Sequence, residues 1–442
     1  MNYLFLLSII LLLTIISYFK FKKDILSPFF ITCCVYLLSI LCAIVGLFYW
    51  NDVLNLHFNT FFAIILGLTS FLIGELLARY IYKNETIITN NSSIFSRIRK
   101  ISMKKVLFLI FLLIICIIYI IFQIKKVCTL YGFSSNFSDM LYFYRKTNNL
   151  LAGGNYQVTY DINFLAKQCL KFCYVVCIFF ELLFVNSLLN KEIKRKKIIY
   201  FFGMILSLLA SLLSTGRSIF MHLIIAFLFI FIVLYRKKYT DKKSFKKMIK
   251  YIFLMGVTSI CLLFALMPLL GRETKGNMID SISFALGAHI PSFDKKINDK
   301  LNYESTIYYS KTVTFNNFYL FLYKNNLISN FNQSNAVWYS FGDYSSNTYT
   351  SLSSYYNDYG FFGIIILQFL FGFIVSYLYL TVINKENLLL FIVYSYFFYT
   401  VVDQFRGDQF YSLLTPSTLG YLGLLTIVYF YIFRFRTKKD SW

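Results

Sequence analysis

Charged residues, proline and histidine are all scarce in this chain. Only 14% of its 442 residues are charged, and it has four prolines and three histidines. Soluble domains usually carry about 25% charged residues, so the composition argues against a soluble protein. The sequence also lacks a phosphate-binding glycine loop, a zinc-ligand spacing and a nucleophile elbow. A soluble nucleotide-sugar or ATP-binding domain is therefore not expected.

Long apolar runs are abundant instead. The chain is 58% hydrophobic and contains 51 phenylalanines and 37 tyrosines. A run of about 20 apolar residues can cross a hydrocarbon layer of about 30 Å, and it must be helical there because no water satisfies its backbone. We predict an all-α, polytopic transmembrane helix bundle that forms a single membrane domain over residues 1–442, with about eleven spans. The predicted spans are 3–19, 28–49, 58–82, 105–124, 162–189, 197–213, 218–235, 251–270, 359–382, 387–403 and 413–433.

The basic residues predict how the chain is oriented in the membrane. Of the 43 lysines and arginines, 28 fall in one alternating set of connections, although the other set is about twice as long. By the positive-inside rule the basic set faces the cytoplasm, which places the N-terminus outside and the C-terminus inside. The net charge of +23 then reflects loops that face anionic lipid headgroups, and it does not indicate a nucleic-acid partner.

Two connections on the predicted outer side are long, namely 125–161 and 271–358. The second has about 88 residues, contains little glycine or proline, and includes apolar pieces that suit short helices at the membrane interface. Long loops with structure of their own are usually functional, so we expect the active part of the protein there.

The remaining polar groups within spans have simpler interpretations. Glu75 and Arg79 are four residues apart and are expected to pair. Glu181 lies inside a span, where a hydrogen bond within the bundle is favoured over a proton-coupling role. The nine cysteines fall almost entirely in apolar runs, so neither a disulfide framework nor a metal site is expected.

Three arginines lie at span ends on the predicted outer side. Arg217 follows a tight Ser-Thr-Gly turn, Arg272 follows the eighth span, and Arg406 lies in a short loop between Asp403 and Asp408. Each alone could be an interface anchor or a local ion pair of little energetic value. Together they suggest a binding site for a lipid diphosphate, because the guanidinium fork matches phosphate oxygens.

The large outer connection holds the other candidate site residues. His289 could accept a proton from a sugar hydroxyl, although an ordinary loop histidine is the alternative. Asp358 is the second catalytic candidate and lies in the hydroxyl-rich and aromatic segment 347–363. Around this segment Trp338, Tyr355, Tyr356 and Asn357 are the candidates for binding a glycan. The alternative for the aromatic residues is the belt common at membrane interfaces.

These features resemble the oligosaccharide repeat-unit polymerases of bacterial O-antigen and capsule synthesis. The resemblance rests on the number of spans, the Gly216–Arg217–Ser218 turn and the large outer connection after the eighth span. It also rests on the Tyr356–Gly363 segment that leads into the ninth span, and on Arg406 before the last helix.

The resemblance implies a GT-C-like fold and a metal-independent glycosyltransferase, without cofactor, in the bacterial cytoplasmic (inner) membrane. Its donor would be a growing glycan on undecaprenyl diphosphate, and its acceptor a single repeat unit on the same lipid. The product would be lipopolysaccharide O-antigen or capsule, and the partners would include a chain-length regulator and a flippase. The family arginines that hold the diphosphate correspond to Arg217, Arg272 and Arg406, and a histidine of the related ligases corresponds to His289.

Three other functions stay open from the sequence. An O-antigen ligase would move the same donor to a different acceptor. A flippase or other transporter of lipid-linked oligosaccharides would be expected to have short outer loops and internal symmetry, neither of which is evident here. A membrane acyltransferase would place a histidine or carboxylate within the bundle, as His222 is placed.

Overall fold

A computed structural model describes most of the chain, and nearly all of that part is helical. The described residues are 3–50, 55–83, 101–133, 136–152, 161–214, 216–239, 241–266, 277–298, 313–329, 337–342, 344–385 and 387–434. The elements are α1 (Tyr3–Lys20), α2 (Pro28–Trp50), α3 (Phe58–Lys83), α4 (Met103–Leu130), α5 (Phe137–Ala152), α6 (Phe164–Leu189), α7 (Lys194–Leu212), α8 (Arg217–Lys238), α9 (Lys242–Leu266), α10 (Met278–Gly287), α11 (His289–Asn298), α12 (Asn316–Lys324), β1 (Tyr339–Phe341), β2 (Tyr344–Ser346), α13 (Ser351–Asn384), α14 (Leu388–Phe397), α15 (Tyr399–Val402) and α16 (Pro416–Phe433). Two 3-10 turns, Asp403–Phe405 and Tyr411–Leu413, lie between α15 and α16.

Nine of the described helical segments are long and apolar enough to cross a membrane. They are α1, α2, α3, α4, α6, α8, α13, the segment from α14 through Phe405, and α16. Each coincides with a predicted span, so the expectation of a multi-pass membrane protein is confirmed. The other two predicted spans are α7 and α9, which are helical but begin with clusters of basic residues.

The chain divides into two compact units. The first comprises Met1–Ile88, Lys275–Asn384 and Tyr399–Thr418. Its core is the pair of helices α3 and α13, which run in the same direction and approach closely at two glycines. A Cβ atom added to Gly74 would lie 2.3 Å from the carbonyl oxygen of Phe369, and one added to Gly372 would lie 2.5 Å from that of Phe71. Only glycine permits this separation, as at many helix interfaces in membranes.

A buried carboxylate holds α3 to the start of α2 at one end of the first unit. Glu75 is fully buried in α3 and accepts hydrogen bonds from the Ser27 hydroxyl at 2.6 Å and the Phe29 amide at 2.8 Å. Arg79 lies one turn further along α3 and forms an ion pair with Glu75 at 2.6 Å, which confirms the predicted pair. The carboxylate therefore joins α3 to the start of α2 and has its charge compensated.

Short helices cover the opposite end of the first unit, as the apolar pieces of 271–358 predicted. The Ser39 hydroxyl of α2 donates to the Leu286 carbonyl of α10 at 2.8 Å. The His57 amide, just before α3, donates to Asp294 of α11 at 3.1 Å, and the imidazole Nδ1 of His57 lies 2.8 Å from the second oxygen of that carboxylate. These contacts fix α10 against the second half of α2 and α11 against the start of α3.

Three details of the long connections differ from the prediction. The ninth span was expected to begin at residue 359, but α13 begins at Ser351, and Gly360 interrupts its helical geometry with φ 62° and ψ −149°. The residues of α13 before Gly360 are polar, so the hydropathy of the sequence did not indicate a helix there. The three-residue strands β1 and β2 form an antiparallel hairpin too short to leave a period-2 pattern. The first connection, 125–161, contains the amphipathic helix α5, whose polar composition also obscured it.

The second unit comprises Thr89–Thr274, Lys385–Phe398 and Leu419–Trp442. Helix α6 is buried over most of its length, and α7 returns antiparallel beside it. The ring of Phe184 lies 5.3 Å from that of Phe201, and Gly203 abuts the ring of Phe180. The predicted hydrogen bond of Glu181 within the bundle is confirmed, because the thiol of Cys177 donates to its carboxyl group at 3.5 Å.

Candidate functional site

The candidate site lies at the end of the first unit where α11, the start of α13 and the turn after α15 come together. His289 begins α11 and is buried. Its Nε2 lies 3.1 Å from the Ala285 carbonyl oxygen, and its Nδ1 lies 2.8 Å from the Thr348 hydroxyl. A carbonyl oxygen only accepts hydrogen bonds, so Nε2 carries the proton and Nδ1 accepts from Thr348.

The surroundings of His289 also affect its protonation. Burial, and then the nearby charge of Arg406, lower the pKa of His289 to about 4. The imidazole is neutral at physiological pH, and both of its nitrogens already have hydrogen-bond partners. That His289 accepts a proton from a sugar hydroxyl stays a prediction. In this arrangement His289 orients Thr348 and the start of α11.

Arg406 follows the 3-10 turn at Asp403–Phe405, where its amide donates to the Asp403 carbonyl oxygen at 2.9 Å. Its side chain lies near His289, since its charge acts on the imidazole pKa. Within the described part of the chain, the guanidinium forms no hydrogen bond and no ion pair. The local ion pair considered for Arg406 with Asp403 or Asp408 is therefore absent among these residues, and the donors of the guanidinium are available to a ligand.

Asp408 lies two residues beyond Arg406, and one of its oxygens accepts three hydrogen bonds. The donors to Oδ1 are the Tyr355 hydroxyl and the amides of Phe410 and Tyr411, each at 3.1 Å. The other oxygen, Oδ2, is shielded from solvent and has no hydrogen-bond partner among the described residues. Burial raises the pKa of Asp408 to about 6, partly offset by these hydrogen bonds. A carboxyl group that titrates near neutrality is typical of functional sites.

Asp358, the second catalytic candidate, anchors the polypeptide chain. Its two oxygens accept hydrogen bonds from the amides of Val313 and Thr314, each at 2.8 Å. The side-chain amide of Asn357 also donates to Asp358, at 3.4 Å. These contacts hold the chain that leads into α12 against the start of α13. They favour a positioning role for Asp358 over the expected acid–base role.

Lys296 is a site residue that reading the sequence missed. Its ammonium group lies 4.2 Å from the ring centroid of Tyr349. Burial lowers the pKa of Lys296 to about 8, and the charge of Asp358 opposes this shift. Lys296 follows His289 by seven residues, so the two side chains share one face of α11. This spacing in the segment GAHIPSFDKKIN was the available signal.

The predicted glycan-binding residues differ in exposure. The side chain of Trp338 is 61% exposed and can present its face to a sugar. Tyr355 is 0% exposed, and its hydroxyl donates to Asp408. That its ring stacks on a sugar stays a prediction. The ring of Tyr356 packs edge-on against Phe361 at 5.1 Å.

The other two candidate arginines fall outside the described part of the first unit. Arg217 is the first residue of α8 and belongs to the second unit. Arg272 lies outside the described residues. That the three arginines meet in one site stays a prediction. Among the residues that the structure describes, no group of three or more histidine, cysteine or acidic side chains is placed to hold a metal ion.

No family model matches this chain, and no curated protein and no solved structure matches it significantly. The resemblance to repeat-unit polymerases therefore stays a prediction.

Proposed function

We propose that this protein polymerises undecaprenyl-diphosphate-linked oligosaccharide repeat units on the outer face of the bacterial cytoplasmic membrane. The observation that carries the proposal is the guanidinium of Arg406, which has no hydrogen-bond or ion-pair partner in the described part of the chain. A guanidinium in this state is suited to bidentate binding of a phosphate group. The polymerase-like arrangement of spans and outer loops makes a lipid diphosphate the favoured ligand.

The packing of the helices supports eleven spans. Because α3 and α13 run in the same direction, the chain between them crosses the membrane an odd number of times. Helices α4, α6 and α8 supply three crossings, so α7 and α9 either both cross or both do not. The antiparallel packing of α7 against α6, through the Phe184–Phe201 and Phe180–Gly203 contacts, favours crossing. Eleven spans with the N-terminus outside put His289 and Arg406 on the outer side.

In the proposed reaction, the non-reducing-end hydroxyl of the acceptor attacks the anomeric carbon of the donor. A new glycosidic C–O bond forms, the bond to the diphosphate oxygen breaks, and undecaprenyl diphosphate leaves. Arg406 stabilises the charge that develops on the leaving group in a site of lowered dielectric. The hydroxyl proton goes to a carboxylate, and we assign it to Oδ2 of Asp408, which has no hydrogen-bond partner among the described residues and which the bound acceptor must uncover. Since both substrates are tethered to the same membrane face, little orientational entropy remains to be lost.

The test replaces Arg406 in cells that lack the chromosomal copy of the gene and analyses the glycan by electrophoresis. Arg406→Ala should abolish the polymer ladder, and Arg406→Lys should restore little of it because lysine lacks the bidentate fork. Arg434 provides a control, because it follows α16 and its guanidinium stacks on Phe430 at 5.3 Å. Arg434→Ala should keep the ladder at equal protein abundance.

The nature of the defect separates the candidate functions. A polymerase defect leaves single capped repeat units where the ladder stood. Lipid-linked polymer that is never attached would indicate a ligase, and repeat units retained on the cytoplasmic side would indicate a flippase. A full ladder from Arg406→Ala would contradict the proposed role of Arg406.

A further inference from the structure

Lys296 is a second cation at the candidate site, and it has no hydrogen-bonding partner among the described residues. Within the described part of the chain, its ammonium group packs over the Tyr349 ring but forms no hydrogen bond and no ion pair. The next residue toward the N-terminus provides the contrast. The ammonium of Lys295 donates to the Ser340 carbonyl oxygen at 3.0 Å and covers the Phe341 ring at 4.1 Å.

The contacts around Tyr349 link Lys296 to Arg406. On one side, Lys296 covers the Tyr349 ring. On the other, a Cβ atom added to Gly407, the residue after Arg406, would lie 3.8 Å from the Tyr349 carbonyl oxygen. His289, which lies near Arg406, and Lys296 are two turns apart on one face of α11, a rise of about 10 Å. Lys296 and the residue that follows Arg406 therefore both adjoin Tyr349, and Lys296 shares a face of α11 with His289, whose pKa the charge of Arg406 lowers.

The neighbouring carboxylates are engaged with other donors. Asp358 accepts the amides of Val313 and Thr314, and Asp408 accepts three hydrogen bonds on one oxygen. Neither accepts a hydrogen bond from Arg406 or Lys296 among the described residues. The charge of Asp358 compensates part of the burial of Lys296. Among the described residues no carboxylate forms a hydrogen bond with either cation, so both keep donors for an anionic ligand.

We propose that Lys296 and Arg406 act as a pair that binds the two phosphate groups of one diphosphate, and this deepens the proposed function on which it rests. Arg406 binds one phosphate through its fork, and the ammonium of Lys296 binds the other as a point charge. A lipid monophosphate reaches only the Arg406 half of the site. Selectivity for diphosphate over monophosphate therefore depends on Lys296.

The experiment measures lipid binding to the purified full-length protein in detergent. The probes are undecaprenyl diphosphate and undecaprenyl monophosphate. Lys296→Gln should weaken diphosphate binding by about tenfold, in line with the loss of one charge-assisted contact, and change monophosphate binding by less than about twofold. Arg406→Ala should weaken binding of both lipids. Lys295→Gln is the matched control and should change neither.

Two checks keep the result interpretable. Lys296→Arg should retain diphosphate binding, and the thermal unfolding profile of Lys296→Gln should match that of the wild type. Equal loss of both lipids in Lys296→Gln would overturn the pairing, because it would indicate a general charge effect. Unchanged diphosphate binding in Lys296→Gln, with binding lost in Arg406→Ala, would overturn the pairing while leaving the proposed function intact. A wild-type protein that binds neither lipid would overturn both.

Discussion

Replacing Asp408 with asparagine should stabilise the protein at neutral pH while lowering the proposed activity. In the folded protein, burial raises the pKa of this carboxyl group from 3.8 to about 6. Between these two pH values the folded chain binds more protons than the unfolded chain, so stability falls as pH rises. This rise in the pKa destabilises the folded protein by about 3 kcal/mol once the carboxyl group is ionised in both states. Asparagine removes this cost and keeps an oxygen for the donors from Tyr355, Phe410 and Tyr411.

The test compares the stabilisation by Asp408→Asn at two pH values. The stabilisation by Asp408→Asn should be about 3 kcal/mol at pH 7.5 and about 1 kcal/mol at pH 4.5. The asparagine side chain places an amide nitrogen where Oδ2 lies, and the cost of this is the same at both pH values. It therefore cancels in the difference of about 2 kcal/mol between the two stabilisation energies. Unfolding in mixed detergent micelles at both pH values gives the two numbers. A stabilisation that does not vary with pH, or a variant that loses stability as pH rises, would refute the reasoning.

Two further predictions concern the packing of the first unit. Arg79→Met should destabilise the protein by about 3–5 kcal/mol in the same unfolding assay, because it leaves the buried Glu75 carboxylate without its cation. Adding Glu75→Gln should recover part of that loss, whereas a cost below about 1 kcal/mol for Arg79→Met would contradict the account. Gly74→Ala should cost about 1–3 kcal/mol, because its methyl group would meet backbone atoms of α13. The control is Gly423→Ala, whose methyl group would have no heavy atom within 4 Å, and an equal cost for both would argue against close packing.

The membrane-crossing part of the fold was predictable because an apolar run is a local property of the sequence. Nine described helical segments coincide with such runs. The start of α13 and the whole of α5 were not predictable, because their residues are polar and owe their helical structure to packing that hydropathy does not measure. The distribution of basic residues predicted the side of the membrane on which Arg406 lies. Which side chains surround Arg406 could be read only from the three-dimensional structure.

The chemistry of the site was less accessible to reading the sequence. His289 looked like a free base, but its partner Thr348 lies 59 residues further along the chain. Asp408 looked like a surface partner for Arg406, but Tyr355, which is 53 residues away in the sequence, takes that carboxylate instead. Such pairings arise from tertiary structure, and they decide which side chain is free to act. Lys296 could have been predicted from the sequence, because its spacing of seven residues from His289 places both on one helix face.

Gly360 divides α13 into two parts with different constraints. The φ angle of Gly360 is positive, a conformation that L-amino acids rarely adopt. Glycine has no side chain, so the chain changes direction there without steric strain. The part after Gly360 packs so closely against α3 that Gly372 leaves no room for a Cβ atom. The part before it carries Tyr355, Asn357 and Asp358 at the polar end of the unit. Under the proposed function, related chains that act on different sugars should therefore differ before this glycine and keep the interhelical surface after it. One helix would then combine a variable recognition segment with an invariant membrane segment.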